Sequence, residues 1–209
     1  MASDLILYTH PMSRGRIARW MLEETGAPYE TVVLDYASTM KQEPYLSVNP
    51  MGKVPAIVHK GHVITECAAI CAYLADAFPG AGLAPPTADR ADYYRWLFYA
   101  AGPVEHAVTN QTMGVAPNDQ QQRMAGYGNF NLAIDVLEKA VSAHPYIAGD
   151  SFTAADVYVG SQVGWGVQFG TLPRRDAFTS YADRIMSRPA YKRAGEKDDA
   201  LMPAPEPAA

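Results

Sequence analysis

The chain of 209 residues is poor in cysteine, with only Cys67 and Cys71, four positions apart in one helix-like run. Two thiols sharing a helix face do not form a disulfide scaffold, so a reducing compartment is expected. Basic charge is also scarce: 17 Lys and Arg stand against 22 Asp and Glu, a formal net charge of −5. Without a basic field to attract phosphate backbones or anionic lipid, nucleic acid and membrane surfaces are not expected as partners. Long apolar runs are missing as well. The longest, Cys67 to Ala75, has nine residues, whereas a bilayer span needs about 20. The first residues carry no basic stretch and no apolar export segment, which leads to the expectation of a soluble, cytoplasmic protein. There is no Gly-rich dinucleotide fingerprint and no phosphate loop. His59 and His62 flank the Lys60-Gly61 turn without a third ligand and read as surface polar residues rather than a metal site. What remains is an ordinary folding composition, 48% apolar and 19% charged.

The pattern of elements changes along the chain. Leu5-Ile6-Leu7-Tyr8 has the length of a buried strand and leads into the turn-like His10-Pro11-Met12-Ser13. From Arg14, the positions Ile17, Trp20 and Met21 recur at helical spacing until Gly26 supplies a stop, and Tyr29 to Leu34 reads as a second strand. Pro55–His59 and His62–Thr65 around Lys60-Gly61 form a predicted hairpin, followed by a helix from Glu66 to about Phe78. The order is βαβ, then ββα. Residues 79–88 are rich in Gly and Pro and read as a linker. Beyond them only helical spacing is found, as in Tyr94, Leu97, Phe98 and Ala101, or Phe130, Ala133, Ile134, Leu137 and Val141. The expected organisation is therefore an α/β domain over 1–78, a linker over 79–88, an all-α domain over 89–201, and a disordered Pro/Ala tail over 202–209.

Three local motifs carry chemistry. In Asn49-Pro50-Met51-Gly52-Lys53-Val54-Pro55, a loop enters a strand at a proline, which cannot donate to the sheet and whose preceding bond can be cis. A turned Val54–Pro55 bond would leave the Val54 backbone free to pair with a peptide-like ligand; an ordinary edge-strand proline is the alternative. In Thr65-Glu66-Cys67, a hairpin gives way to a helix N-terminus suited to a carboxylate, with Glu66 beside it for an ammonium group; plain capping by Thr65 explains the same residues. In Phe152-Thr153-Ala154-Ala155-Asp156-Val157, Thr153 and Asp156 make a capping box, with Phe152 and Val157 as its staple.

Taken together, these residues resemble the cytosolic glutathione transferases over nearly the whole chain, from Leu5 to about Gly195, and the His10–Ser13 loop is similar to that of bacterial, serine-type members. The resemblance implies a thioredoxin-like N-terminal domain that binds glutathione, an all-α C-terminal domain that contributes the acceptor pocket, and a homodimer in which the exposed Met51 contacts the partner. It implies glutathione as cosubstrate, with no further cofactor and no metal, and a small hydrophobic electrophile as acceptor. By the same resemblance Val54, with Pro55, pairs with the cysteinyl backbone of glutathione, Glu66 and Cys67 hold its γ-glutamyl end, and Lys53 lies near its glycine end. One departure stands out: the family usually has serine where this chain has Cys67, and a thiol is the weaker donor. Tyr8, Thr9, His10 and Ser13 are available to activate the thiol. Ser13 is the first choice as the catalytic group, with a plain helix cap as the alternative. Met12, Tyr99, His106 and Trp165 are candidates for the acceptor pocket. Two other functions remain in view: a glutathione-dependent thiol or peroxide reductase, and a non-catalytic binding protein with the same fold.

Overall fold

The computed structural model describes residues 4–202. Strand β1 (Leu5–Thr9) alternates strictly, with Leu5, Leu7 and Thr9 turned inward, as a strand covered on one face must. It lies at the centre of a four-stranded sheet of order β2-β1-β3-β4, with β2 (Glu30–Val33), β3 (Ala56–His59) and β4 (His62–Thr65). β2 runs parallel to β1, which requires a crossover, and helix α1 (Gly15–Thr25) supplies it. Ile17, Trp20, Met21 and Leu22 fill the buried face of α1. The helix stops at Gly26, whose φ of 68° lets its N–H cap the Leu22 carbonyl. β3 and β4 are antiparallel around Lys60-Gly61. Helix α2 (Tyr45–Val48) is one short turn, and helix α3 (Cys67–Ala77) follows β4. This is the expected thioredoxin-like βαβ-ββα arrangement, and it is followed by an all-helical region.

That region contains α4 (Ala91–Tyr99), which continues through a π-helical stretch at Ala100–Val104 into α5 (Glu105–Thr112), then α6 (Asp119–Met124), α7 (Phe130–Ala143), α8 (Ala154–Phe169) and α9 (Asp176–Met186). The capping box that starts α8 is formed: Ala155 donates to the Thr153 hydroxyl and Thr153 N–H donates to Asp156 at 2.9 Å. Asp156 is fully buried and accepts further bonds from Ile147 N–H, the Thr153 hydroxyl and the Tyr181 hydroxyl. Burial pushes its carboxyl up, and these bonds oppose that push. Phe152 packs on the Tyr146 ring and under the Arg188 guanidinium.

The structure corrects the expected division of the chain. Contacts separate a sheet unit, which runs to Leu74 and resumes at Pro189, from a helical unit, Ala75–Arg188. Residues 79–88 are no free linker. Leu83 is buried and its carbonyl accepts from Ala154 N–H, while Arg90 binds the Pro85 carbonyl and Asp76. The last helix, α10 (Pro189–Asp199), falls outside the helical unit because it packs on α1. Arg19 and Asp198 form a buried ion pair at 2.8 Å, and Glu23 binds both Arg193 and Lys197. Of the tail expected to be disordered, Met202 is described and its N–H donates to the Asp199 carbonyl; residues 203–209 lie outside the described residues.

Two finer expectations change as well. His59 is buried, not on the surface, because α3 covers that face and the Tyr73 hydroxyl meets its Nδ1 at 3.0 Å. In α4 the inward face is Tyr93, Trp96 and Leu97, whereas Tyr94 and Phe98 are exposed. Among the described residues no helix is long and apolar enough to cross a membrane.

Candidate functional site

Strand register gathers the predicted glutathione-site residues at one end of the sheet. Tyr8 pairs with Ala56, Ala56 with Thr65, and Thr9 with Val33. The ends of β1, β2 and β4 therefore lie beside the start of β3. Three segments emerge there: the His10–Arg14 loop, the Gly52–Pro55 approach to β3, and Glu66–Cys67 at the start of α3. A direct contact ties two of them, the Cys67 thiol lying 3.6 Å from the Arg14 carbonyl.

The approach to β3 is pinned from inside. Gly52 takes a φ of 56°, and an added Cβ would meet the Met40 carbonyl at 2.8 Å, so only glycine fits. Its carbonyl accepts from the Lys41 ammonium group. The Lys53 carbonyl accepts from the Tyr45 hydroxyl at 2.5 Å and the Asn49 amide at 2.8 Å, while the Lys53 side chain is exposed. Val54–Pro55 is cis, and Pro55 is buried. Among the described residues, no hydrogen bond takes up the Val54 amide or carbonyl. Tyr45 and Asn49 were not singled out from sequence. The signal for Asn49 was its place before Pro50, where an Asx turn forms, and its side chain does accept from Met51 N–H.

Glu66 is exposed and sits at φ 65°, in the left-handed region, with its carbonyl accepting from Ile70 N–H. It directly precedes α3, while Thr65 ends β4 and is not the cap. Cys67 is buried, and Cys71 is fully buried with its thiol pushed well up by burial.

Side chains lock the His10–Arg14 loop. The Ser13 hydroxyl donates to the His10 carbonyl at 2.7 Å and accepts from Gly15 N–H at 2.9 Å, and Met12 N–H donates to His10 Nδ1. Tyr8 is half-buried and packs with Tyr45, as expected of a strand residue.

The segment 3–76 matches the family model "Glutathione S-transferase, N-terminal domain". A glutathione S-transferase of Xanthomonas campestris pv. campestris is 30% identical over 184 residues, covering 82% of this chain and 89% of that protein. The chain belongs to the glutathione S-transferase family. Glutathione is the family's cosubstrate, and membership carries the transferase function. Solved structures agree in fold. A sphingomonad glutathione S-transferase complexed with glutathione is 30% identical with a TM-score of 0.75, over 93% of this chain and 98% of that one. A glutathione transferase from Methylococcus capsulatus has a TM-score of 0.77 at 26% identity, over 94% of this chain and 99% of that one.

Within this glutathione S-transferase the candidates for the acceptor pocket fall on one loop and three helices. Met12 is exposed on the Ser13 loop of the sheet unit. Tyr99, His106 and Trp165 lie on α4, α5 and α8 of the helical unit. The Tyr99 hydroxyl is taken up by the Ala133 carbonyl at 2.9 Å, and burial raises its pKa. His106 is exposed and Trp165 half-buried.

Proposed function

We propose that the protein conjugates the glutathione thiolate to small hydrophobic electrophiles in the cytoplasm, in a detoxifying role, with Ser13 as the catalytic group that holds the thiolate. On this reading the sheet unit binds glutathione. Val54 pairs with its cysteinyl backbone by strand addition beside Pro55, Glu66 takes the ammonium group and the Cys67 amide the carboxylate of its γ-glutamyl end, and Lys53 faces its glycine carboxylate. The helical unit, with Tyr99, His106 and Trp165, supplies residues of the acceptor pocket. A homodimer is part of this proposal, and the exposed Met51 is its contact.

The observation that carries the reading is the unpaired Val54 backbone at the same end of the sheet as Ser13 and Glu66. A free thiol has a pKa near 8.5, so only a few per cent is thiolate at about pH 7. Ser13 has one hydroxyl proton and already gives it to the His10 carbonyl. Turning to the thiolate exchanges a neutral acceptor, worth about 0.5 to 1.5 kcal/mol, for a charged one, worth about 1.5 to 3 kcal/mol. The net gain of about 1 to 1.5 kcal/mol lowers the thiol pKa by about one unit. The Gly15 N–H bond keeps the oxygen in place during that turn.

A reductase reading has less support, because Cys71 is buried with a raised thiol pKa and Cys67 faces the Arg14 carbonyl. Calorimetric titration with glutathione, followed by a panel of electrophiles at fixed glutathione, tests the proposal. Binding with conjugation of hydrophobic electrophiles is expected. Binding without conjugation of any of them would reduce the protein to a glutathione-binding module.

A further inference from the structure

Three successive carbonyls of the His10–Ser13 loop are each held by a side chain. The His10 carbonyl accepts from Ser13, the Pro11 carbonyl from Arg16 Nε at 2.5 Å, and the Met12 carbonyl from the Tyr36 hydroxyl at 3.1 Å. The Ser13 bond is the one that must open when its proton turns to the thiolate. Of the three carbonyl anchors, those from Arg16 and Tyr36 then remain, beside the Met12 N–H bond to His10 Nδ1 and the Gly15 N–H bond to the Ser13 oxygen.

Arg16 is itself fixed from far along the chain. Its Nη2 donates to Asp199 Oδ1 at 2.5 Å, across a sequence separation of 183 residues. The guanidinium is a rigid planar fork, so an anion on one nitrogen sets the direction of the N–H on another. Asp199 does not hang on a loose end. Its neighbour Asp198 is buried and paired with Arg19, one helical turn beyond Arg16 on α1. Two adjacent aspartates of α10 thus grip two arginines of α1, the inner pair anchoring the helix and the outer pair aiming a donor at the loop. Arg19 also donates to Tyr29 and Thr31, which ties the anchor to the β2 side of the sheet.

We infer that Asp199 is a positioning residue for the thiolate site: through Arg16 it holds the Pro11 carbonyl, and so the place of the Ser13 hydroxyl, when that hydroxyl leaves the His10 carbonyl. The inference rests on the proposed role of Ser13 and extends it to the last helix.

The test measures the ultraviolet absorbance of enzyme-bound glutathione thiolate against pH, together with kcat and KM, for the full chain and its variants. Asp199→Ala should raise the bound-thiol pKa by about half a unit and lower kcat about threefold near pH 6.5. KM for glutathione should stay near its original value, since the Val54 and Glu66 contacts are untouched. Asp199→Glu should restore the pKa. In an Arg16→Gln background, Asp199→Ala should add nothing, because one route carries both effects. Melting temperature should move little, as the Arg19–Asp198 anchor remains; if Asp199→Ala fails to fold, Asp199→Asn provides the same readout. A bound-thiol pKa unchanged in the Asp199 variants would overturn the inference. Ser13→Ala, measured alongside, decides the Ser13 reading separately: a shift there with none at Asp199 overturns only the positioning role, and no shift in either removes both.

Discussion

Val54 and Asp156 mark opposite treatments of polar groups. At the end of the sheet, the Val54 amide and carbonyl have no hydrogen-bond partner among the described residues, while the groups around them are tied down by Tyr45, Asn49 and Lys41. In the helical unit, Asp156 is fully buried and accepts four hydrogen bonds. A polar group fully satisfied in the interior specifies the fold, and one left open on a rigid frame is available to a ligand. The difference teaches where to look for function: at open groups whose neighbours are locked.

The largest effect is expected of Asp156→Ala. Four donors would lose their acceptor, and each unsatisfied buried group costs about 1 to 3 kcal/mol, so a destabilisation of about 4 kcal/mol or more is expected in urea unfolding. Glutathione affinity of the molecules that remain folded should hold. A parallel loss of affinity would show that the two regions are not separable.

Next in size is Asp198→Ala in the sheet unit. It strands the buried Arg19 guanidinium and should cost about 3 to 5 kcal/mol. A smaller pH effect accompanies it. Against the upward push of burial, Lys197, Tyr29 and Arg193 hold the Glu23 carboxyl below its usual range. A depressed folded pKa stabilises above the unfolded value of about 4.3 and loses that contribution as pH falls through the folded value. Unfolding midpoints taken at about pH 7 and in steps below about pH 4.3 should therefore fall further for the unmodified protein than for Glu23→Gln. The smallest effect is expected at Cys67→Ser, where a stronger donor beside the γ-glutamyl carboxylate should tighten glutathione binding about fivefold by calorimetry. Unchanged affinity would mean that the new hydroxyl stays on the Arg14 carbonyl.

Local chemistry made much of this legible in the sequence. Gly26 ended α1, Pro55 marked the cis bond, and Thr153 with Asp156 announced the capping box, because each acts within a few residues of itself. Long-range partners left no such mark. The docking of α10 on α1 depends on Arg19 with Asp198 and Glu23 with Lys197, and charged residues that far apart read from sequence as solvated surface. Tyr94 and Phe98 kept helical spacing yet face outward, since spacing gives a stripe but not which stripe is covered. Ser13 was legible as a candidate. That its proton is already committed to the His10 carbonyl was not, and the exchange of one acceptor for the other limits the expected benefit to about one pKa unit.

In the proposed function, Ser13 holds the thiolate. Following thiolate absorbance against pH in the glutathione complexes of the unmodified protein and Ser13→Ala tests it most directly. The bound-thiol pKa should rise by about one unit in the variant, with binding of the neutral thiol little changed. Coincident titration curves would contradict it and leave Ser13 a cap for the Gly15 amide.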